Sequence, residues 1–421
     1  MVHSLTKHPQ IVVIGGGPAG ATVGTICAQA GFSVQILERE KGPRFHIGES
    51  LMPATYWTLK RLGALDKMKA SRFQKKYSVQ FISESGKESQ PFYFFENNPH
   101  EASQTWQVVR EEFDSMLLDN AKEHGAMVSY GLRALDVLME GTRAVGVRVR
   151  DGNGQEKEIN CDVVVDATGQ SSLIMNKLGL KVADKHLRKA SLWTYYKGAS
   201  REEGLDEGAT LVCATKDKKG WFWYIPQHND MLSVGVVSSM DELFGPECGT
   251  HEEVFLRELE RCPAVMKRIQ LGERVGPFYS TKDFSYQSKQ ISGPGWVLVG
   301  DAFGFLDPIY SSGVFLALKS GEMAADAIIM GFARGNLDKH TLGSWEGEFL
   351  QGMNRMKRLV YAFYEGFNFG AFIRKHPEMK RHIIDLLVGD LFKNSVDEVA
   401  LPMDAMRREL CDASGMEFAQ V

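Results

Sequence analysis

The chain has 421 residues, of which 43% are hydrophobic and 24% charged, with a formal net charge of -4. That length predicts one large lobe and one or two smaller ones, and slight acidity without a Lys/Arg block argues against a nucleic-acid surface. Six scattered cysteines (Cys27, Cys161, Cys213, Cys248, Cys262, Cys411) form no CxxC pair, so neither a zinc site nor a disulfide framework is expected. No stretch of about 18 apolar residues occurs, and glycines from Gly15 interrupt the first apolar run; the expectation is a cytoplasmic protein with no signal peptide or transmembrane segment.

Residues Gln10–Ile14 are a short β-branched run ended by glycines, the pattern of a buried parallel strand. Small residues over Ala19–Ala30 predict a helix stopped by Gly31, and Val34–Leu37 the next strand, giving a βαβ unit. Arg110–Glu123 spaces Phe113, Met116, Leu117 and Ala121 as one face of an amphipathic helix. Ala144–Val149 alternates like a half-exposed strand before an Asp151-Gly152-Asn153-Gly154 turn, and Val163–Val165 is a further buried strand. From about Ala190 to Lys282 the rhythm changes to short alternating strands (Leu192–Tyr196, Phe222–Ile225, Leu232–Val237), predicting an antiparallel sheet. Trp296–Val299 restores the buried-strand pattern, a helix is expected from Val314 to Met330, and the tail after Asn336 is helical and aromatic-rich.

The first chemical motif is Gly15-Gly16-Gly17-Pro18-Ala19-Gly20, a GxGxxG between strand and helix. Gly15 permits the tight turn, Gly17 lets backbone approach a pyrophosphate, and Gly20 lets helix pack on strand; free N–H groups at the helix start favour the anion. Glu38 ends the second strand about 20 residues on, where a carboxylate accepts ribose hydroxyls. Far downstream, Gly300-Asp301-Ala302 follows the strand Trp296–Val299.

This pairing resembles the glutathione-reductase-type FAD fold shared by aromatic hydroxylases and flavin-dependent halogenases. The resemblance implies an α/β chain: an FAD-binding Rossmann domain, an inserted, mostly antiparallel β-sheet substrate domain and a helical C-terminal tail. The corresponding ranges are 1–79, 106–185 and 286–335 for FAD, 80–105 and 186–285 for the substrate sheet, and 336–421 for the tail. It also implies FAD contacts from Gly15, Gly17, Pro18, Ala19, Gly20, Glu38, Arg39, Arg44, Ser50, Arg110, Asp301, Pro308 and Gly313. Hydroxylases that bind NADPH directly carry a DGxxSxVR-like segment, whereas Thr168–Met175 here puts Thr168 at the acid and Met175 at the arginine. With a single dinucleotide fingerprint, this implies reduced FAD supplied by a separate flavin reductase.

Two segments resemble flavin-dependent halogenases more narrowly: Trp221-Phe222-Trp223-Tyr224-Ile225-Pro226 matches WxWxIP, and Phe305–Gly313 matches FxxPxxSxG. In that family the flavin C4a-hydroperoxide oxidises halide to hypohalous acid. The resemblance implies a chloride or bromide site at the Ser312 and Gly313 amides, a wall made by Trp221 and Trp223, and a lysine that passes halogen to substrate. Phe73–Phe81 resembles the FxRKxGxxF segment of phenolic halogenases and puts Lys76 at the catalytic position, with Lys75 pointing the opposite way in a strand. Arg44–Pro53 resembles the RxHxGESLLP loop against the flavin, with His46 as a further candidate base. Tyr310 stands where tryptophan halogenases carry glutamate, which implies an electron-rich phenol or pyrrole, free or tethered to a carrier protein. An aromatic monooxygenase, a geranylgeranyl-reductase-like oxidoreductase and an FAD-bound redox sensor remain alternatives. The tail aromatics Tyr361, Phe363, Tyr364, Phe367, Phe369 and Phe372 are expected to pack against the FAD lobe.

Overall fold

The computed structural model describes residues 8–96, 98–282 and 285–421, with only the backbone of Asp217; the expected ranges that include 1–7, 97 and 283–284 lie partly outside it. β-branched residues build the buried strand Ile11–Ile14, which sits centrally in a six-stranded sheet. It pairs in parallel with Val34–Glu38 on one side and Val163–Asp166 on the other. Met127–Tyr130 and Trp296–Leu298 extend the sheet in parallel, and Ser292–Gly293 closes it antiparallel. The helix Pro18–Gln29 follows the first strand and is buried over most of its length, with the helix Ser312–Arg334 packed on it. That approach is close: a Cβ on Gly321 would lie 2.7 Å from the Ala19 carbonyl oxygen.

The second sheet has seven strands, in the order Glu273–Lys282, Lys189–Lys197, Met231–Ser239, Trp221–Pro226, Thr210–Ala214, Ser78–Ile82 and Phe92–Tyr93. All neighbours are antiparallel except Ser78–Ile82 with Thr210–Ala214. Alternation divides the strand Trp221–Pro226 between two cores: Phe222 and Tyr224 face one, Trp221, Trp223 and Ile225 the other. The strands expected between 190 and 282 lie in this sheet, and three helices that the strand pattern did not predict, Met240–Phe244, His251–Glu260 and Pro263–Ile269, cover its Phe222 face. A Thr250/Glu253 capping box starts the second of them.

The tail is helical, led by Glu346–Tyr364, but its aromatics divide. Phe367 and Phe372 join the core of the Rossmann lobe, whereas Tyr361, Phe363 and Tyr364 pack on the tryptophan face of the second sheet. The expectation that all face the FAD lobe therefore fails for those three, since the helix lies in the seam and offers apolar groups to both sides.

Candidate active site

The opening turn is built for close approach. Gly15 has φ +106° and a Cβ there would sit 2.4 Å from the Ala167 carbonyl oxygen; a Cβ on Gly20 would lie 2.0 Å from that of Gly15. Gly17 occupies the N-cap of Pro18–Gln29 with no side chain capping it, and Pro18 follows as a residue with no N–H to satisfy. The Arg44 side chain lies beside that turn, its Nη2 3.2 Å from where a Cβ on Gly17 would sit. Glu38 is buried at the strand end, where it accepts from Gly16 N at 3.1 Å and Arg44 Nε at 3.1 Å. Gly16, not singled out by sequence, is crowded less severely, by the side-chain ends of Leu118 at 2.9 Å and Glu38 at 3.0 Å. Glu38, Arg44, Asp114 and Tyr130 line a pocket of about 240 Å³.

Around that turn, Arg110 binds Asp114 through two nitrogens and donates to the Ile47 carbonyl at 2.7 Å, tying the 44–53 loop to its own helix. Asp301 does not cap a helix; it lies within the 3-10 turn Gly300–Ala302. Burial pushes its carboxyl up to about 7, against the opposing pull of the Arg110 cation. Arg39 is an exposed partner of Glu40. His46 is held by Arg44, and burial followed by the Arg44 charge lowers it to about 4, so at neutral pH it is an uncharged acceptor and no proton reservoir. His46 is therefore a buried hydrogen-bonding partner of Arg44 within the 44–53 loop rather than the base the sequence suggested.

Lys76 is 2% exposed while its neighbour Lys75 faces solvent. The reason is register: the short strand Gln74–Lys76 pairs with Thr105–Gln107, and the chain changes sheet at Tyr77 before Ser78–Ile82. Lys76 Nζ donates to Ser50 Oγ at 2.8 Å and to the Leu51 carbonyl at 3.4 Å, and it sits 5.4 Å from the Phe94 ring centroid. Burial lowers the amine from 10.5 to about 7. Ser50 Oγ lies 3.0 Å from Thr210 Oγ1, which accepts from Gln107 Nε2 at 2.9 Å. The hydroxyl of Ser50, expected on the cofactor side, is thus engaged with Lys76. The amine opens into a narrow cavity of about 30 Å³ walled by Met52, Val79, Phe94, Val212, Ile309 and Tyr310, among others.

Ile309 and Tyr310 belong to the loop Phe305–Gly313, which borders that cavity on one side and starts a helix on the other. Pro308 opens its 3-10 turn, Ser311 has φ +57°, and the 23-residue helix starts at Ser312. Neither serine caps it, and the buried Ser312 Oγ has no partner. An unmet hydroxyl beside free helix N–H groups, with Gly313 next in the chain, is a donor set suited to a small anion.

Asp307, absent from the sequence expectations, is fully buried in the same loop and accepts from Ile309 N at 3.1 Å and Tyr364 Oη at 2.8 Å. Burial pushes its carboxyl up to about 6, partly offset by those bonds and by Lys189. Trp221 Nε1 donates to the same Tyr364 Oη at 3.0 Å, and Trp223 Nε1 to Ser233 Oγ at 3.0 Å. The tryptophan face and the 305–313 loop are therefore tied through one tail tyrosine. No local signal in the sequence joins residues 143 positions apart.

The arrangement has three parts: a glycine turn and acid for a dinucleotide, an uncapped helix start for an anion, and a buried amine in an apolar cavity. The glycine clearances, the uncapped Gly17 and the unmet Ser312 hydroxyl fit FAD and halide. The family model described as tryptophan halogenase matches residues 10–101 and 95–368. A 1H-pyrrole-2-carbonyl-[peptidyl-carrier protein] brominase of Pseudoalteromonas luteoviolacea is 32% identical over 93% of this chain and 97% of its own. The corresponding chlorinase of Pseudomonas fluorescens is 30% identical over 94% and 92%. The solved structure of a flavin-dependent brominase superposes with a TM-score of 0.86 at 30% identity, covering 97% of this chain and all of that one. No helix among the described residues is long and apolar enough to cross a membrane. The chain belongs to the tryptophan-halogenase family and is a flavin-dependent halogenase of α/β architecture.

Proposed function

We propose that this enzyme uses reduced FAD, dioxygen and chloride or bromide to halogenate an electron-rich phenol or pyrrole, the pyrrole presented on a peptidyl carrier protein. The observation that carries the reading is Lys76: an amine lowered to about 7 by burial, in an apolar cavity bordered by the 305–313 loop. Reduced flavin with dioxygen supplies the two-electron oxidation of halide to electrophilic halogen. Residues 15–20, Glu38, Arg44, Arg110 and Asp301 hold the dinucleotide, and the Ser312 and Gly313 amides hold the anion. Trp221 and Trp223, fixed through their indole N–H groups, keep the aromatic substrate from the flavin side. Lys76, about half of it uncharged at pH 7, offers its lone pair to the halogen, as a chloramine or through a hydrogen bond, and aims it at the ring.

Tyr310 in place of an acid supports a phenol or pyrrole over free tryptophan, since no carboxylate stands at that position to orient an indole N–H. The carrier-tethered pyrrole is supported by the brominase and chlorinase relatives, matched over more than nine-tenths of each chain. Fully buried Met175 at the arginine position of direct NADPH users supports a separate flavin reductase as electron source. A reducing cytoplasmic setting fits six free thiols. The division into FAD-binding segments 1–79, 106–185 and 286–335, a substrate sheet and a tail belongs to the same reading. The test is incubation with a flavin reductase, NADH and halide against free phenols, free pyrrole and pyrrole-2-carbonyl carrier protein. A halide-dependent mass shift is expected; oxygen insertion instead would make the enzyme a monooxygenase.

A further inference from the structure

The tail segment 374–381 carries four exposed cations, Arg374, Lys375, Lys380 and Arg381, in a chain whose net charge is -4. None of the four takes part in an ion pair among the described residues, and the one carboxylate between them, Glu378, faces His376 Nδ1 at 3.6 Å. Four cations left without protein partners are well hydrated and free to engage an anionic surface. Their position connects them to the Lys76 cavity. Lys380 and Arg381 start the helix Lys380–Val388, and near its far end Leu387 lines that cavity. There the helix is fixed beside the cavity residues Met52 and Pro53: Ala54 N donates to the Val388 carbonyl at 3.0 Å, and a Cβ on Gly389 would lie 2.8 Å from Ala54 Cβ. Leu387 lies seven positions along the helix from Lys380, roughly 10 Å at 1.5 Å per residue. An extended phosphopantetheine arm is longer than that span.

We infer that residues 374–381 are the landing ledge for the carrier protein, holding its acidic face and the phosphodiester of its arm while the arm carries the aromatic acyl group past Leu387 to Lys76. The inference rests on the proposed carrier-tethered substrate. Charge complementarity of this kind sets encounter rate and register more than the closeness of the final fit. The rigid link from ledge to cavity converts a docked carrier into a ring held at a fixed depth.

The test is binding and turnover of pyrrole-2-carbonyl-loaded peptidyl carrier protein by the full chain with FAD, comparing wild type with K380E/R381E and with R374Q/K375Q. Glutamates at a helix N-terminus suit the helix dipole, so K380E/R381E is expected to fold and bind FAD normally. Its Kd for the loaded carrier should rise at least tenfold, its KM likewise, with kcat and activity on a free phenol or pyrrole unchanged. R374Q/K375Q should give a smaller rise in the same sense, and raising salt should narrow the gap between wild type and both variants. Unchanged carrier affinity in both variants, with wild type binding the carrier well, overturns the ledge and leaves the carrier-tethered substrate standing. Wild type that halogenates only the free ring and fails to bind the carrier overturns both.

Discussion

The buried amine of Lys76 should cost the protein stability, and replacing it with methionine should return that stability in a pH-dependent way. The amine titrates near 7 in the folded state against 10.5 in the open chain, the cause being desolvation. At about 1.4 kcal/mol for each tenfold change, the difference is an upper bound of about 5 kcal/mol. The sign follows from proton counting: between pH 7 and 10.5 the unfolded chain holds a proton that the folded chain has shed, so stability rises with pH there. Below pH 7 both states are charged and the whole penalty applies; above 10.5 it is gone. Lys76→Met keeps the length of the stem and removes the charge. It should therefore be several kcal/mol more stable than wild type at pH 6, the advantage falling to about 2 kcal/mol at pH 9. Urea denaturation of both proteins across that range reads the difference directly. A variant that is less stable at pH 6, or whose advantage does not change with pH, would refute the picture of an amine whose charge is opposed by desolvation.

Three further outcomes follow from the same geometry. Tyr364→Phe removes the link between Trp221 and Asp307; loss of about 1–3 kcal/mol is expected from the stranded buried acceptor, with more peroxide released per halogenated product when both are assayed together. Gly20→Ala places a methyl 2.0 Å from a backbone oxygen, so the purified variant should be colourless and fail to regain flavin absorbance on adding FAD. Ser312→Ala deletes a buried hydroxyl that has no partner; the protein without halide should gain about 1 kcal/mol in thermal or urea unfolding while KM for halide rises.

Much of this was legible in the sequence, and what was legible was local. The glycines of the βαβ start could be read because steric demand at a tight turn leaves only one residue type that fits, and Glu38 because it ends the second strand at a fixed spacing from them. The opposite facing of Lys75 and Lys76 could be read because alternation in a strand is a two-residue rule. The partners of Lys76 were not legible. Ser50 lies 26 positions away and Thr210 lies 160 from Ser50, brought together by an isolated bridge between Ser50 and Gln107 and by parallel pairing of Ser78–Ile82 with Thr210–Ala214. Such pairings are set by sheet order, which no short window encodes. The three helices between 240 and 269 are hidden for a different reason: Thr250 and Glu253 announce a capping box, and Val254, Phe255 and Leu259 have helical spacing, but the strand rhythm on either side masks that signal. The tail posed a further problem, since its aromatics ring the helix and serve two cores at once, so composition gave the packing but not the direction.

In the proposed reaction, oxidation of halide and its transfer to the ring occur at separate places, with Lys76 serving only the second. The direct measurement is a Lys76→Ala enzyme supplied with reduced FAD, oxygen, halide and an accepted aromatic, following oxygen uptake and halogenated product in the same sample. Oxygen should be consumed at the wild-type rate, with FAD bound and product absent. Product formed at the wild-type rate would contradict the account.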